Sequence, residues 1–181
     1  MPFLIVVYFL LVGIVALLTQ MILPVIFPIL NVVGLGSALV PLVVIYASLE
    51  LGDWRALLLA TILGLFLDLR INSHHLGSSA LILGSLSALI VTQAHKPESH
   101  HWLFGLIYVL VGTFAFLLLD YLFMLGATGR WYWPLDVWSK ITFASLLNLA
   151  IAPLFFYLVG LLPRRCGWKP AHELHERRYA R

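Results

Sequence analysis

Residues Ala56–Leu81 read ALLLATILGLFLDLRINSHHLGSSAL. An apolar run ends on the carboxylate of Asp68, a short polar turn follows, and a second apolar run begins. Ala56, Ala60, Gly64 and Asp68 are four residues apart, so on a helix they form one narrow stripe of small side chains that ends in a charge. Because a carboxylate is costly at hydrocarbon depth, we expect Asp68 to have a specific role.

The composition of the chain is that of an integral membrane protein. Of its 181 residues, 62% are hydrophobic and 10% are charged, whereas soluble domains carry about 25% charged residues. At about 20 residues per spanning helix, this length accommodates about six helices and no separate soluble domain. The net charge of +3 is concentrated in residues 164–181, which indicates a role in membrane topology and not in nucleic-acid binding.

The hydropathy pattern predicts an all-α polytopic membrane protein with six transmembrane helices. Residues 1–163 form a single transmembrane domain, and residues 164–181 form a basic cytoplasmic tail. The first helix is too long for a signal-peptide core, so we expect it to remain in the protein. The second and third helices are short, and as a re-entrant hairpin they would leave four spans. The six predicted ranges are 3–23, 37–51, 54–69, 76–93, 102–126 and 135–162.

Six spans place both termini on the same side of the membrane. Of the 11 Lys and Arg residues, Arg70, Arg130 and Lys140 lie on the opposite side, and the remaining eight lie on the side of the termini. The positive-inside rule therefore predicts that both termini are cytoplasmic.

Small residues also recur on the helix that follows Asp68. The residues four apart are Ala80, Gly84, Ala88 and Thr92. Two such stripes, on helices joined by a short turn, predict a close approach of the two backbones.

Asp68 itself has two interpretations. As a functional residue it would anchor a partner helix or bind a proton or an ion. As a structural residue it would bond to the Asn72–Ser73 turn or pair with Arg70 at the membrane interface. The sequence favours the structural interpretation, because Asp68 lies near a helix end, where a charge costs less.

Asp120 and Lys140 lie at similar depth on the last two predicted helices. One hypothesis is an ion pair that fastens these helices together. In the alternative, Asp120 bonds to water and Lys140 extends to the interface.

The sequence contains no motif for catalysis, for a cofactor or for a metal. The pairs His74–His75 and His100–His101 are adjacent residues, which point away from each other on a helix. His172 and His175 in the tail are three residues apart and could bind a metal weakly, but they lack the carboxylate and cysteine partners of established metal sites. The single cysteine, Cys166, excludes a metal site built from cysteines. Without a phosphate-binding glycine loop or a Gly-x-Ser-x-Gly motif, we expect a protein that is not an enzyme.

The central stretch resembles a family of bacterial membrane proteins. Gly64-Leu65-Phe66-Leu67-Asp68-Leu69, a short polar turn and Leu76-Gly77 together resemble the rod shape-determining protein MreD. In that family a membrane helix ends on Gly-x3-Asp, and a Leu-Gly pair opens the next helix. Pro41 at the start of the second predicted helix also fits. The likeness covers residues 41–89, and elsewhere it rests on hydropathy.

The resemblance implies a non-enzymatic scaffold or regulatory subunit of the machinery that elongates rod-shaped cells. Such a protein lies in the bacterial inner membrane and binds MreC, a single-span protein with a periplasmic coiled coil. It supports the peptidoglycan synthases RodA and penicillin-binding protein 2 and acts indirectly with the actin-like MreB. The implied fold is similar to the six-helix substrate-binding component of vitamin transporters. Membrane lipid and a second copy of the chain are further expected partners, and no cofactor is implied.

Carried onto this chain, the resemblance gives Gly64, Asp68, Leu76 and Gly77 a structural role. They would pack the third and fourth helices closely, with Asp68 fixing the turn between them. A partner helix would then use a neighbouring face.

A small-molecule-binding component of a transporter is the alternative function. It predicts polar side chains that converge on a pocket open to the outside. The polar residues at mid-membrane depth are few: Asn148, Thr113, Ser85 and Ser87. This scarcity argues against a polar substrate.

Overall fold

The computed structural model describes residues 2–26, 39–71, 77–94, 102–129 and 134–166, which contain six α-helices and no strand. The predicted all-α class is therefore confirmed for this part of the chain. Leu76 and the tail beyond Cys166 lie outside the described residues. The helices are α1 (Pro2–Ile26), α2 (Leu39–Leu51), α3 (Trp54–Ile71), α4 (Ser78–Ala94), α5 (Trp102–Thr128) and α6 (Leu135–Arg165).

Three of these helices are long and apolar enough to cross a membrane, which is consistent with a membrane protein. The spans are Phe3–Ile22, Leu103–Gly126 and Leu135–Arg165. The helices between them are shorter: α2 has 13 residues, α3 has 18 and α4 has 17. At about 1.5 Å per residue, α2 is about 20 Å long and falls short of a hydrocarbon core of about 30 Å.

The short helix α2 lies at the centre of the bundle. It contacts each of the other five helices. Every side chain from Val40 to Ser48 is buried, on all sides of the helix. A helix that is apolar all round has no face suited to water, and here the surrounding helices bury it from Val40 to Ser48. Phe9 of α1 packs edge-on against Tyr46 of α2, and Phe156 of α6 stacks on the same ring at 4.6 Å between centroids.

The first and last helices meet at one end of the bundle. The Tyr8 hydroxyl of α1 donates a hydrogen bond to the Val159 carbonyl of α6 at 2.9 Å. Glu50, near the end of α2, accepts a hydrogen bond from the Tyr46 hydroxyl, and Tyr46 lies within electrostatic range of Tyr8. We call this the Glu50 end, and the opposite end, where α3 finishes and α4 begins, the Asp68 end.

Polar side chains join the helices at depth. The Gln20 amide oxygen of α1 accepts a hydrogen bond from the Val40 N–H in the first turn of α2, at 3.3 Å. The Ser48 and Ser87 hydroxyls of α2 and α4 lie 2.8 Å apart. The first N–H groups of a helix have no partner within the helix, so the Gln20 amide oxygen serves one of these groups of α2.

Candidate functional site

The tightest helix contact of the Asp68 end is at Gly64 of α3. A Cβ atom added there would lie 2.4 Å from the Ala80 Cα atom and 2.6 Å from the Ala80 nitrogen of α4. Real Cβ atoms do not approach backbone so closely, so only glycine fits at this position. The backbones of α3 and α4 touch here, as small residues allow in membrane bundles.

One turn beyond Gly64, the Asp68 carboxylate caps the start of α4. Its Oδ2 atom accepts hydrogen bonds from the N–H groups of Gly77 at 2.9 Å and Ala80 at 3.4 Å. Its Oδ1 atom accepts from the Ser79 N–H at 3.1 Å. The first N–H groups of a helix have no partner within the helix and carry its positive dipole end, so a carboxylate is the fitting acceptor. Asp68 is 1% exposed.

The cap is a structural role for Asp68, in which its carboxylate binds backbone N–H groups. Its oxygen atoms accept hydrogen bonds from the N–H group of Gly77, directly before α4, and from those of Ser79 and Ala80 in the first turn of α4. Asn72 and Ser73, proposed from the sequence as its partners, lie outside the described residues, and so does the side chain of Arg70. The position of Asp68 near a helix end was predicted from the sequence, whereas its capping of α4 was not.

The backbone conformation of Gly77 allows this capping geometry. Its φ angle is +104°, a conformation that side-chain-bearing residues rarely adopt. This conformation directs the Gly77 N–H to the Asp68 Oδ2 atom. Its neighbour in the Leu-Gly pair, Leu76, lies outside the described residues.

Gly84 has a looser environment than Gly64. A Cβ atom added to Gly84 would lie 3.4 Å from the Thr61 Oγ1 atom, which is close to ordinary contact. The α3–α4 contact is therefore tightest near the cap and opens along α4.

Asp120 and Lys140 lie at the same depth, as the sequence suggested, but they form no ion pair. The Asn148 amide of α6 donates to the Thr113 hydroxyl of α5 at 3.3 Å, and two turns further along each helix come Lys140 and Asp120. Among the described residues, the ion pair joins Arg55 to Asp53 at 3.5 Å. The Lys140 side chain is exposed, whereas Asp120 faces inward and is half-buried. The ion-pair hypothesis is thus wrong, because the two side chains leave their helices on different faces.

A second polar cluster, which was not predicted from the sequence, lies at the Glu50 end. The Tyr46 hydroxyl donates to the Glu50 Oε1 atom at 2.9 Å, and Glu50 is only 8% exposed. Gly160 of α6 leaves room for this hydroxyl, since an added Cβ atom would lie 2.5 Å from it. A tyrosine four residues before a glutamate in an apolar helix was the available signal, because such residues share a helix face.

In the part of the chain that the structure describes, no group of three or more His, Cys, Asp or Glu residues is placed to hold a metal ion. The adjacent histidine pairs and the two histidines of the tail lie outside that part.

The described fold is a bundle of α-helices around a short central helix, and three of its helices are long and apolar enough to cross a membrane. Comparison with family models, with curated proteins and with solved structures gave no match to this chain. Its function is therefore inferred from the Asp68 end and from the resemblance of that stretch to the MreD family.

Proposed function

We propose that the protein is a non-enzymatic scaffold of the MreD type in the bacterial inner membrane. It binds an MreC-like single-span protein and so supports peptidoglycan synthesis and rod cell shape. The observation that carries the proposal is the Asp68 cap. Gly64, Asp68 and Gly77, the described positions that resemble the family motif, form one physical unit of close contact, capping carboxylate and glycine turn.

The cap gives the Gly64–Asp68–Gly77 motif a structural role that is compatible with a scaffold function. It fixes α3 and α4 as a hairpin through backbone contact and charge-assisted hydrogen bonds, which are stronger than neutral ones. A rigid hairpin presents its outer side chains in a constant arrangement. Leu65 and Leu69 of α3 and Leu81 of α4 are exposed on this hairpin and are available to lipid or to a partner helix.

We further propose that all six helices lie in the bilayer, in a fold like the substrate-binding component of vitamin transporters. Internal caps support this arrangement, since Gln20 serves the start of α2 and Asp68 serves the start of α4. Arg164 and Arg165 are exposed at the Glu50 end, which supports a cytoplasmic location for that end and for both termini.

Capture of partners from the native host tests the proposal. A tagged copy is extracted from membranes in mild detergent, and the bound proteins are identified. We expect recovery of an MreC-like single-span protein, with RodA, penicillin-binding protein 2 or MreB in smaller amounts. Depletion of the protein should make rod-shaped cells round. Recovery of no MreC-like protein, together with normal shape after depletion, would overturn the proposal.

Two glycine variants give matched controls for this experiment. Gly64→Leu forces α3 and α4 apart and should abolish both capture and restoration of cell shape. Gly126→Ala changes an exposed glycine with no atom within 4 Å of the added Cβ, so it should retain both.

A further inference from the structure

A buried glutamate lies at the end of the central helix. Glu50 is 8% exposed and is the last residue but one of α2. A carboxylate is disfavoured at this position, because the C-terminal end of a helix carries the negative end of its dipole. Burial adds a cost of desolvation, so buried charges are normally paired. We therefore expect a positive charge to act on this part of the bundle.

Helices α2 and α6 run in the same direction toward the Glu50 end. Both are antiparallel to α5, as shown by the contacts Ile45–Gly112 and Leu49–Gly105 from α2 and Asn148–Thr113 and Phe156–Gly105 from α6. Glu50 lies one turn beyond Tyr46 on α2, and Arg164 lies one turn beyond Gly160 on α6. Residues four apart share a helix face. Because Tyr46 and Gly160 meet, the two charged side chains leave their helices on facing sides.

The Tyr46 hydroxyl and the Arg164 side chain border one gap, which the absence of a side chain at Gly160 leaves open. A Cβ atom added to Gly160 would lie 2.5 Å from the Tyr46 hydroxyl oxygen and 3.8 Å from the Arg164 Nε atom. The same hydroxyl donates a hydrogen bond to the Glu50 Oε1 atom at 2.9 Å. The charges of Glu50 and Arg164 both act on this hydroxyl. One buried hydroxyl therefore adjoins a carboxylate and a guanidinium group from two different helices.

Neighbouring rings hold the hydroxyl in place. Phe9 of α1 packs edge-on against the Tyr46 ring, and Phe156 of α6 stacks on it at 4.6 Å between centroids. The ring is 5% exposed, whereas the Arg164 side chain is exposed. Arg164 is therefore the member of this cluster that can move away, and Tyr46 and Glu50 form its fixed part.

We propose that Glu50, Tyr46 and Arg164 form a bridged charge pair that holds the last turn of α6 against α2. The Tyr46 hydroxyl donates its hydrogen to the Glu50 carboxylate, and its oxygen accepts a hydrogen bond from the Arg164 guanidinium. The positive charge of Arg164 offsets the buried carboxylate and the negative dipole ends of both helices. When the pair is broken, the last turn of α6 opens while the rest of the bundle stays folded.

The proposal gives two adjacent arginines different roles. Arg164 is a counter-charge to the interior of the bundle, and Arg165, which is also exposed, remains a surface cation. Each lies in the last turn of α6, so each has the same favourable interaction with the helix dipole. The difference between their variants therefore measures the bridged charge pair alone.

Hydrogen exchange of the full chain tests this pair. The protein is placed in nanodiscs of a zwitterionic lipid, and mass spectrometry follows the amides of residues 161–165, corrected for the intrinsic rate of each sequence. Arg164→Gln should raise their exchange at least about tenfold, the effect of losing one hydrogen bond between charged groups. Arg164→Lys, which keeps the charge, should restore part of the protection. Arg165→Gln should change the exchange less than about threefold, as expected for a surface cation.

A double-mutant cycle tests whether Glu50 and Arg164 act together. Glu50→Gln removes the charge but keeps an acceptor for the Tyr46 hydroxyl. The double variant should exchange at most about twofold faster than Arg164→Gln, because the first change has already broken the pair. In a Tyr46→Phe background, Arg164→Gln should have little further effect.

The proposal is overturned if Arg164→Gln and Arg165→Gln give the same exchange, a comparison that needs no change to the buried residues. It is also overturned if the effects of Glu50→Gln and Arg164→Gln multiply, which would show that the two side chains act independently. A full effect of Arg164→Gln in Tyr46→Phe would overturn the bridging role of the hydroxyl.

Discussion

Replacement of the capping carboxylate gives the sharpest measure of what holds the α3–α4 hairpin together. Asp68→Ala removes the acceptor of three N–H groups at 2.9, 3.1 and 3.4 Å. Hydrogen bonds to charged groups contribute about 1.5–3 kcal/mol each. The bond at 3.4 Å is long and contributes least, and the loss of a buried charge near Asp120 offsets part of the cost. We therefore expect the free energy of unfolding to fall by about 3 kcal/mol, above the usual range of about 0.5–2 kcal/mol for a lost cap.

Asp68→Asn removes the negative charge of the side chain but keeps its size and one acceptor oxygen. The amide oxygen still accepts hydrogen bonds from α4, but without the attraction between a carboxylate and the positive end of the helix. That attraction is about 0.3–1 kcal/mol at exposed sites and up to about 2 kcal/mol in partly buried ones. We expect a loss of about 1–2 kcal/mol, smaller than that of the alanine variant.

Unfolding in mixed micelles of a mild detergent and dodecyl sulfate measures these differences. Tryptophan fluorescence and helical circular dichroism follow the same transition. The control is Asp136→Ala, which removes an exposed carboxylate from the first turn of α6. It should cost less than about 1 kcal/mol.

Either of two results would refute the assignment of Asp68 as a cap. One is that Asp68→Ala costs no more than Asp136→Ala. The other is that Asp68→Asn destabilises the protein more than Asp68→Ala, since the amide keeps an acceptor that the methyl group lacks.

Three further predictions follow from the helix contacts. Gly64→Ala should lower the free energy of unfolding by about 2–3 kcal/mol, because its Cβ atom meets backbone, whereas Gly126→Ala should be neutral or slightly stabilising. Gly160→Ala and Tyr46→Phe should each destabilise the protein. Their combination should cost at least about 1 kcal/mol less than the sum, because the second change removes the hydroxyl that the new methyl group meets; additive losses would contradict that contact. Asn148→Leu should cost at least about 0.6 kcal/mol, the average for a hydrogen bond between membrane helices, and an unchanged stability would contradict a stabilising role for the bond from Asn148 to Thr113. Unfolding in mixed micelles measures all three.

The order and approximate bounds of the helices were predictable from hydropathy, because each apolar run ends at polar or turn-forming residues. The turn at Gly52 is an example. Its φ angle is +60°, and its N–H binds the Ser48 carbonyl, as expected for a glycine that ends a helix. Residues that are neighbours in the sequence determine where such a helix ends, so helix ends of this kind are predictable from the sequence.

The burial of α2 on every side was not predictable. Lipid tails and neighbouring helices are equally apolar, so hydropathy does not distinguish a helix that faces lipid from one enclosed by protein. The length of the run, 13 residues, was the available signal.

The candidate site was predictable in part. The spacing of Gly64 and Asp68 indicated a packing stripe that ends in a charge. The acceptor role of Asp68 depends on N–H groups 9 to 12 residues further along the chain, and their position is set by the turn and by the φ angle of Gly77. Residue counting along the helices predicted correctly that Asp120 and Lys140 lie at the same depth. It did not predict the direction in which each side chain leaves its helix.

The enclosure of α2 has a consequence for the order of assembly. The surroundings of Tyr46 include Phe9 from the first helix and Phe155 and Phe156 from the last. Helix α6 is synthesised after the other five described helices, so α2 lacks part of its surroundings until α6 has left the ribosome. The packing around α2 is therefore completed only after α6 has been added, and a chain truncated before Leu135 would leave α2 exposed on the side that α6 covers.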